Sequence, residues 1–273
     1  MAKYLVKFVE KQYLPNFQKL DSYSIRLGSF LDYKKTEDLK RQDKSEGQRG
    51  LNLTIQKPCN KLDELIKEDK LLMPKYTEKE LDKNGNFIPK VTIFDHEHLD
   101  DFNAWIFCCS IVDNLEDIEK IKNKFNADSY YFISDINKFF NAIQKSLVKN
   151  LQDYPNNKNH QPRIQYPNGD NIYLDGFNNI VLYNNDSKYM DFNYDTLTDY
   201  IASKDSRTID KNLWFKKGIN FKDEKEFRFI LYPTSGRTEN KHYNINEIWC
   251  FLNVDLNECI SKTPIDIEIY NKS

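Results

Sequence analysis

The segment Phe221-Lys-Asp-Glu-Lys-Glu-Phe-Arg-Phe-Ile-Leu231 sets two carboxylates, Glu224 and Glu226, two positions apart at the mouth of an apolar run. In a strand, period two puts Phe227, Phe229 and Leu231 on one face and Glu224, Glu226 and Arg228 on the other. Like charges side by side raise each other's pKa and resist burial, unless a cation or a developing positive charge lies between them. The pair therefore suits a reaction that passes through a cation. Its ordinary alternative is an exposed edge strand with a Glu–Arg pair of little energetic weight.

Two further strands carry polar residues where a plain core would have none. In Tyr23 to Gly28, Ile25 and Leu27 share one face while Ser24, Arg26 and Gly28 share the other. An arginine followed by small residues suits the wall of a cleft, because a guanidinium holds phosphate oxygens through two parallel bonds. A solvent-facing strand arginine in a simple ion pair fits the same pattern. The run Trp105-Ile-Phe-Cys-Cys-Ser110 ends in a serine that can donate into a cleft or satisfy its own backbone in a turn. Vicinal Cys108 and Cys109 read as small buried hydrophobes.

The elements that must position these residues follow from hydrophobic period. Tyr4 to Val9 reads as a first strand, followed by a short helix at Leu14 to Leu20, the Tyr23–Gly28 strand, a polar helix and loop over Asp32 to Glu46, and a strand at Leu51 to Ile55. Residues 57–90 and 154–171 read as irregular insertions, the first charged and the second rich in Asn, Pro and Gly. Ala104 to Val112 is apolar throughout and predicts a strand buried on both faces. Leu115, Ile118, Ile121 and Phe125 share one helical face. So do Ile136, Phe139, Phe140, Ile143, Leu147 and Leu151, after Ser134 as N-cap. Tyr130 to Ile133 lies between these helices, and strand signals resume at Ile180 to Tyr183, Glu226 to Tyr232, Ile248 to Val254 and Ile265 to Tyr270. Many strands and few helices without βα alternation predict a single α+β domain over residues 1–273. Its sheets are expected to be mixed and mostly antiparallel, forming a split β core with flanking helices.

Composition narrows the function classes. Lys and Arg number 40 against 42 Asp and Glu, a formal charge of −2, so no global field recruits nucleic acid or an anionic membrane, although a local basic groove is compatible with it. No apolar run reaches the length of a membrane span and the N-terminus lacks a signal-peptide pattern, so the expectation is a cytoplasmic protein without membrane contact. Five cysteines without C-x-x-C spacing fit reduced thiols. Arginines number only seven (Arg26, Arg41, Arg49, Arg163, Arg207, Arg228, Arg237) beside 33 lysines. An arginine that persists in so lysine-rich a chain is a candidate for a role that needs the planar fork.

The order of the three strands adds what each lacks alone. An early-strand Arg26, a mid-chain Ser110 and a late Glu224-x-Glu226 resemble the Arg–Ser–Glu arrangement of bacterial NAD-using ADP-ribosyltransferases of the toxin and phage-defence kind. The segment Ile25-Arg-Leu-Gly-Ser-Phe30, with Tyr33, Glu37, Arg41, Asp43, Glu46 and Gly47 beyond it, resembles phage-defence proteins related to that fold. Cys108-Cys109-Ser110 departs from the family's Ser-Thr-Ser strand. The resemblance implies NAD as substrate, with Glu226 stabilising an oxocarbenium-like transition state, a problem glycosidases also solve with carboxylates. It further implies Glu224 acting on the acceptor nucleophile, Arg26 clamping a phosphate or ribose, Tyr33 stacking on nicotinamide or adenine, Ser110 supporting Glu226, and Arg41, Asp43 and Glu46 forming the adenosine side or a lid. The acceptor is a macromolecule, protein or nucleic acid, and an antitoxin or immunity protein is an expected partner. No Gly-x-Gly-x-x-Gly supports a Rossmann mode. Two other readings stand beside it. Asp95-His-Glu-His98 with Asp100, Asp101 and Asp223-x-Lys225 suggests a metal-dependent nuclease, although an acidic loop explains the first cluster without a metal. The aromatic content equally suits a binding or sensor module.

Overall fold

The structure, a computed structural model, describes residues 3–35, 49–54, 75–81, 87–95, 103–156, 158, 162–165, 173–184, 189–192, 215–234, 243–247 and 249–267. It is mixed α+β, with a mostly antiparallel, unclosed sheet and few helices.

The organising strand is the apolar run. β1 (Tyr4–Val9), β2 (Tyr23–Ser29) and the following α1 (Phe30–Lys35) precede it in the chain, as do β3 (Arg49–Thr54), β4 (Lys75–Leu81) and β5 (Phe87–Asp95); the run itself is β6 (Trp105–Val112). After it come α2 (Asp117–Lys124), β7 (Ser129–Ile133), α3 (Ile136–Asp153), β8 (Ile164–Gln165), β9 (Tyr173–Ile180), β10 (Leu182–Asn184), β11 (Tyr189–Phe192) and β12 (Lys216–Gly218). The chain then forms a 3-10 turn at Ile219–Glu224, β13 (Glu226–Thr234), β14 (Asn244–Ile245), β15 (Cys250–Val254) and β16 (Ile260–Ser261).

Along one edge β6 pairs antiparallel with β13, which pairs in turn with β9. Its other edge is shared. Trp105 and Ile106 pair with Ser29 and Gly28 of β2, whereas Ser110 to Val112 pair with Val6 to Tyr4 of β1. Between these contacts the two partners diverge, β2 towards β15 and β1 towards β7 and β16. At this divergence the Lys7 ammonium donates to the Cys108 carbonyl at 2.7 Å and lies 4.5 Å from the centre of the Phe107 ring.

Period two in β6 and β13 sorts their residues onto two faces. Trp105, Phe107, Cys109 and Ile111 join Phe227, Phe229 and Leu231 in the main core, against Phe139, Ile143 and Leu147 of α3. The α3 cap is Asp135, whose carboxylate accepts from Lys138 N at 2.9 Å; the expected Ser134 instead bonds back to Glu258 O. On the opposite face an apolar cluster of Phe30, Ala104, Ile106, Phe215, Ile230 and Tyr232 covers one end. Val6, Val112 and Phe132 against Ile118 and Ile121 of α2 cover the other. The polar residues of β6 and β13 lie between these clusters.

Several sequence expectations are corrected. The helix expected at Leu14 to Leu20 is absent; the only helical turn there is a 3-10 turn at Lys11–Tyr13, and Pro15 blocks its continuation. Within the supposed insertion at 57–90 lie β4 and the start of β5, which belong to a four-stranded sheet in the order β11-β3-β5-β4. Residues 265–267 form no strand, whereas β16 pairs with β7. Strand signal is expected only from Ile180, whereas β9 begins at Tyr173 and pairs with β13 along eight residues.

Gly176 in β9 is required by close approach. A Cβ there would stand 2.4 Å from the Ile230 carbonyl oxygen and 2.8 Å from the Phe140 ring, so backbone and helix would both have to shift. Gly176→Ala is expected to destabilise the protein by about 1–3 kcal/mol, as overpacking does, and to lower the midpoint in urea. An unchanged midpoint would show that β9 can move away from β13 without cost.

Candidate functional site

β13 is not an edge strand. It is flanked by β6 and β9, all nine of its residues are buried, and its register sets Glu226 opposite Ser110 and Arg228 opposite Cys108. The alternative of an exposed Glu–Arg pair is therefore overturned. Nor do the two carboxylates follow one strand. Glu224 closes the 3-10 turn, Lys225 takes a left-handed φ of 45°, and only Glu226 begins β13. Both Lys225 backbone groups are engaged: its carbonyl accepts from Ile111 N at 2.7 Å and its N–H donates to Lys222 O at 3.2 Å. The left-handed residue replaces strand alternation as the reason both side chains converge.

They converge on Lys217. Its ammonium lies 2.8 Å from Glu224 Oε2 and 3.1 Å from Glu226 Oε2, and all three side chains are under a tenth exposed. Lys217 comes from β12, which runs parallel to β10 with Tyr183 directly opposite it. That pairing delivers both residues to Glu226, because the Tyr183 hydroxyl accepts from Glu226 N at 2.8 Å. Arg228, fully buried, donates from Nε to Glu226 Oε1 at 2.8 Å and from Nη2 to Oε2 at 3.2 Å. Cys108 stands opposite Arg228 in the β6–β13 register, and its thiol shares a hydrogen bond with the Tyr33 hydroxyl, 2.9 Å from Sγ. Among the described residues, two carboxylates and two cations offset one another in this cluster, which helps four charges stay buried beside an apolar core.

The surroundings separate the two glutamates. Burial would raise the Glu226 pKa, but the Arg228 and Lys217 charges, with the hydrogen bonds from Arg228, hold it well below the ordinary carboxylate value. Glu224 is shifted the other way, chiefly by burial and also by the Glu226 charge, against the opposing pull of Lys217. Burial likewise pushes the Cys108 thiol and the Tyr33 hydroxyl upward, so both stay protonated at neutral pH.

These shifts fix the sign of a pH effect. A depressed Glu226 contributes stability above the unfolded value of about 4.3, and that contribution is lost as pH falls further towards its folded pKa. A raised Glu224 acts in the window above 4.3, where the folded state binds the proton more tightly and stability rises as pH falls. We therefore expect Glu226→Gln to remove acid sensitivity below about pH 4.3, and Glu224→Gln to remove the gain above it, in urea midpoints measured across pH. Equal acid sensitivity in the parent and Glu226→Gln would contradict the assignment to Glu226.

The other predicted residues are distributed around this cluster. Ser110 is buried opposite Glu226. Arg26 is on the same sheet face but at its rim: Nη2 binds Asp32 at 2.7 and 3.0 Å, and its side chain is 45% exposed. Gly28 leaves room for α1, since a Cβ there would approach Asp32 Oδ2 to 2.9 Å and the Tyr33 ring to 3.6 Å. Asp223 and Lys225 turn to α2 and the loop before it, Asp223 to Lys124 and Lys225 to Asp113 and Asp117. Arg41, Asp43, Glu46 and residues 96–101 lie outside the described residues. Among the described residues no three His, Cys, Asp or Glu side chains group as a metal site, and no helix is long and apolar enough to cross a membrane. The described cysteines are free thiols.

Sequence reading missed Lys217, Tyr183 and the role of Cys108. Only the last had a signal, in the departure of Cys108-Cys109 from the serine-strand pattern. No family model matches the chain, and neither the curated proteins nor the solved structures include a significant match to it.

Proposed function

We propose that this chain is an NAD-using ADP-ribosyltransferase with a split-core transferase fold and Glu226 as its catalytic carboxylate. One observation carries the reading: two glutamates around a single ammonium have environments that drive their pKa values apart, the usual mark of divided acid–base roles. The strands bearing Arg26, Ser110 and Glu226 are also neighbours in one sheet, with the three residues on one face. A buried charge cluster is weak as a source of stability compared with apolar packing of the same volume, which favours a chemical use for it.

In this reading the bond between ribose C1′ and the nicotinamide nitrogen breaks, and nicotinamide leaves with the bonding pair. The ionised Glu226 stabilises the oxocarbenium left behind. Arg228 keeps Glu226 ionised and oriented. An acceptor nucleophile then attacks C1′ and gives its proton to Glu224, whose raised pKa suits a base. Arg26 meets a phosphate or ribose of NAD at the rim. The acceptor is a macromolecule, in keeping with a toxin or antiviral effector neutralised by a partner protein.

Labelled NAD and a cell lysate test the assignment. The parent is expected to release nicotinamide and to leave label on one class of macromolecule. Glu224→Gln should still release nicotinamide but lose transfer by about 10²- to 10⁴-fold, the usual weight of a general base. Transfer undiminished in Glu224→Gln would remove Glu224 from the mechanism. Magnesium-dependent loss of nucleic acid without NAD consumption would favour the nuclease instead.

A further inference from the structure

Lys217 reaches the carboxylate cluster from a separate two-stranded sheet, the β10–β12 ribbon. This ribbon and the residue before it hold Glu226 at three points. Val181 N donates to the Glu226 carbonyl at 2.9 Å, Glu226 N donates to the Tyr183 hydroxyl at 2.8 Å, and the Lys217 ammonium donates to Oε2 at 3.1 Å. Phe215, buried against Phe177 with ring centroids 5.4 Å apart, anchors the start of β12. The Phe221 ring lies 4.6 Å from the ammonium. The lysine side chain is only 4% exposed, so its charge is balanced by protein groups rather than by water.

The two buried cations are not equivalent. Arg228 is committed to Glu226 through Nε and Nη2. Lys217 is the cation at hydrogen-bond distance from Glu224, 2.8 Å from Oε2. Lys124 of α2 also bears on Glu224, but it is partly exposed and its ammonium stands 3.8 Å from Asp223. Among the described residues, the other titratable groups facing the pair are Tyr183 on β10, Cys108 on β6 and Tyr33 on α1. Burial keeps each of them protonated at neutral pH, so none supplies a charge. Removing the Lys217 charge therefore leaves one buried guanidinium for two buried carboxylates, and the carboxylate without a close cation takes a proton.

We propose that Lys217 is the positioning residue of the carboxylate pair: its ammonium keeps Glu224 ionised and held to the same point as Glu226, and so sets how many protons the site carries. A side chain from outside the main sheet thereby governs the charge state of the strand that bears Glu226. If the transferase reading holds, on which this consequence alone rests, Lys217 is what makes Glu224 available as a base. Label transfer by a Lys217→Met variant should then require a higher pH than transfer by the parent.

Infrared spectra of the full chain near pH 7 test the proposal through the carbonyl band of protonated carboxyl groups. Lys217→Met should gain about one protonated carboxyl per chain, the proton that linkage requires when the folded state holds it more tightly. Lys217→Arg, which keeps a charge, should lack the band, and so should the double variant Lys217→Met/Glu224→Gln. In urea, the Lys217→Met midpoint should fall as pH rises above about 4.3, the unfolded carboxylate value, because a raised folded pKa stabilises only while the proton is held. The double variant should show no such fall and should melt above Lys217→Met near pH 7. A folded Lys217→Met protein without the band, or a band that survives Glu224→Gln, would overturn the proposal. If Lys217→Met does not fold, the charge-balanced double variant should; its failure to fold would show that the lysine matters for its packing and would equally overturn the proposal. None of these readouts involves NAD. A parent inactive on NAD would thus remove the transferase reading alone, and a missing band the Lys217 proposal alone.

Discussion

Arg228→Met is expected to lower the stability of the fold by about 3–5 kcal/mol, the usual consequence of removing one partner of a buried ion pair. Arg228 is fully buried and is the nearer of two cations on Glu226, with Nε at 2.8 Å. Without it Glu226 retains only Lys217, which it shares with Glu224, and two buried carboxylates compete for one ammonium. Desolvation then prevails, and Glu226 takes a proton at a higher pH than in the parent. Arg228→Lys should restore little of the loss, because a point charge cannot reproduce the two-nitrogen contact. Urea midpoints near pH 7 measure the effect. A loss below about 1 kcal/mol, the range of a surface ion pair, would mean that water reaches the cluster and that its charges are not held as described.

Glu226→Gln is expected to lower nicotinamide release from NAD by about 10²- to 10³-fold, comparable to removing one preorganised electrostatic contact to a transition state. The amide keeps the shape of the side chain but not the charge that an oxocarbenium needs. It also puts N–H groups beside Arg228 and Lys217, so melting of the variant must be compared with the parent. Glu226→Asp keeps the charge but draws it back by one methylene, and should fall between the two. Wild-type activity in a folded Glu226→Gln protein would exclude the carboxylate from the chemistry.

What the sequence made legible was local. Period two in Phe227 to Leu231 sorted core from polar residues, the unbroken apolar run at Ala104 to Val112 marked the central strand, and the register sets Ser110 opposite Glu226. The scarcity of arginine also carried information. Arg228 grips Glu226 with two nitrogens, and Arg163 does the same to Glu247 at 2.5 and 2.9 Å, so both use the planar fork. Hidden was whatever depends on contacts between distant segments. Lys217 and Tyr183 reach Glu226 through two three-residue strands paired in parallel, too short to carry a period. Lys225 adopts a left-handed conformation without being Gly or Asn, so nothing in its identity announces that Glu224 leaves the strand. β9 contains Gly176, Asn178 and Asn179, poor strand formers by themselves, and its pairing with β13 overrides that preference. Cys108 looked like a flaw in a serine motif. Its place opposite Arg228, with its thiol hydrogen-bonded to the Tyr33 hydroxyl, sets it beside the cluster.

The central claim is that an ionised Glu226 cleaves NAD, and nicotinamide release measured side by side for the parent and Glu226→Gln tests it most directly. Matched melting temperatures would show that both proteins are folded. The account predicts release by the parent and a loss of at least about 100-fold in the variant. No NAD consumption by either protein, or equal consumption by both, would contradict it.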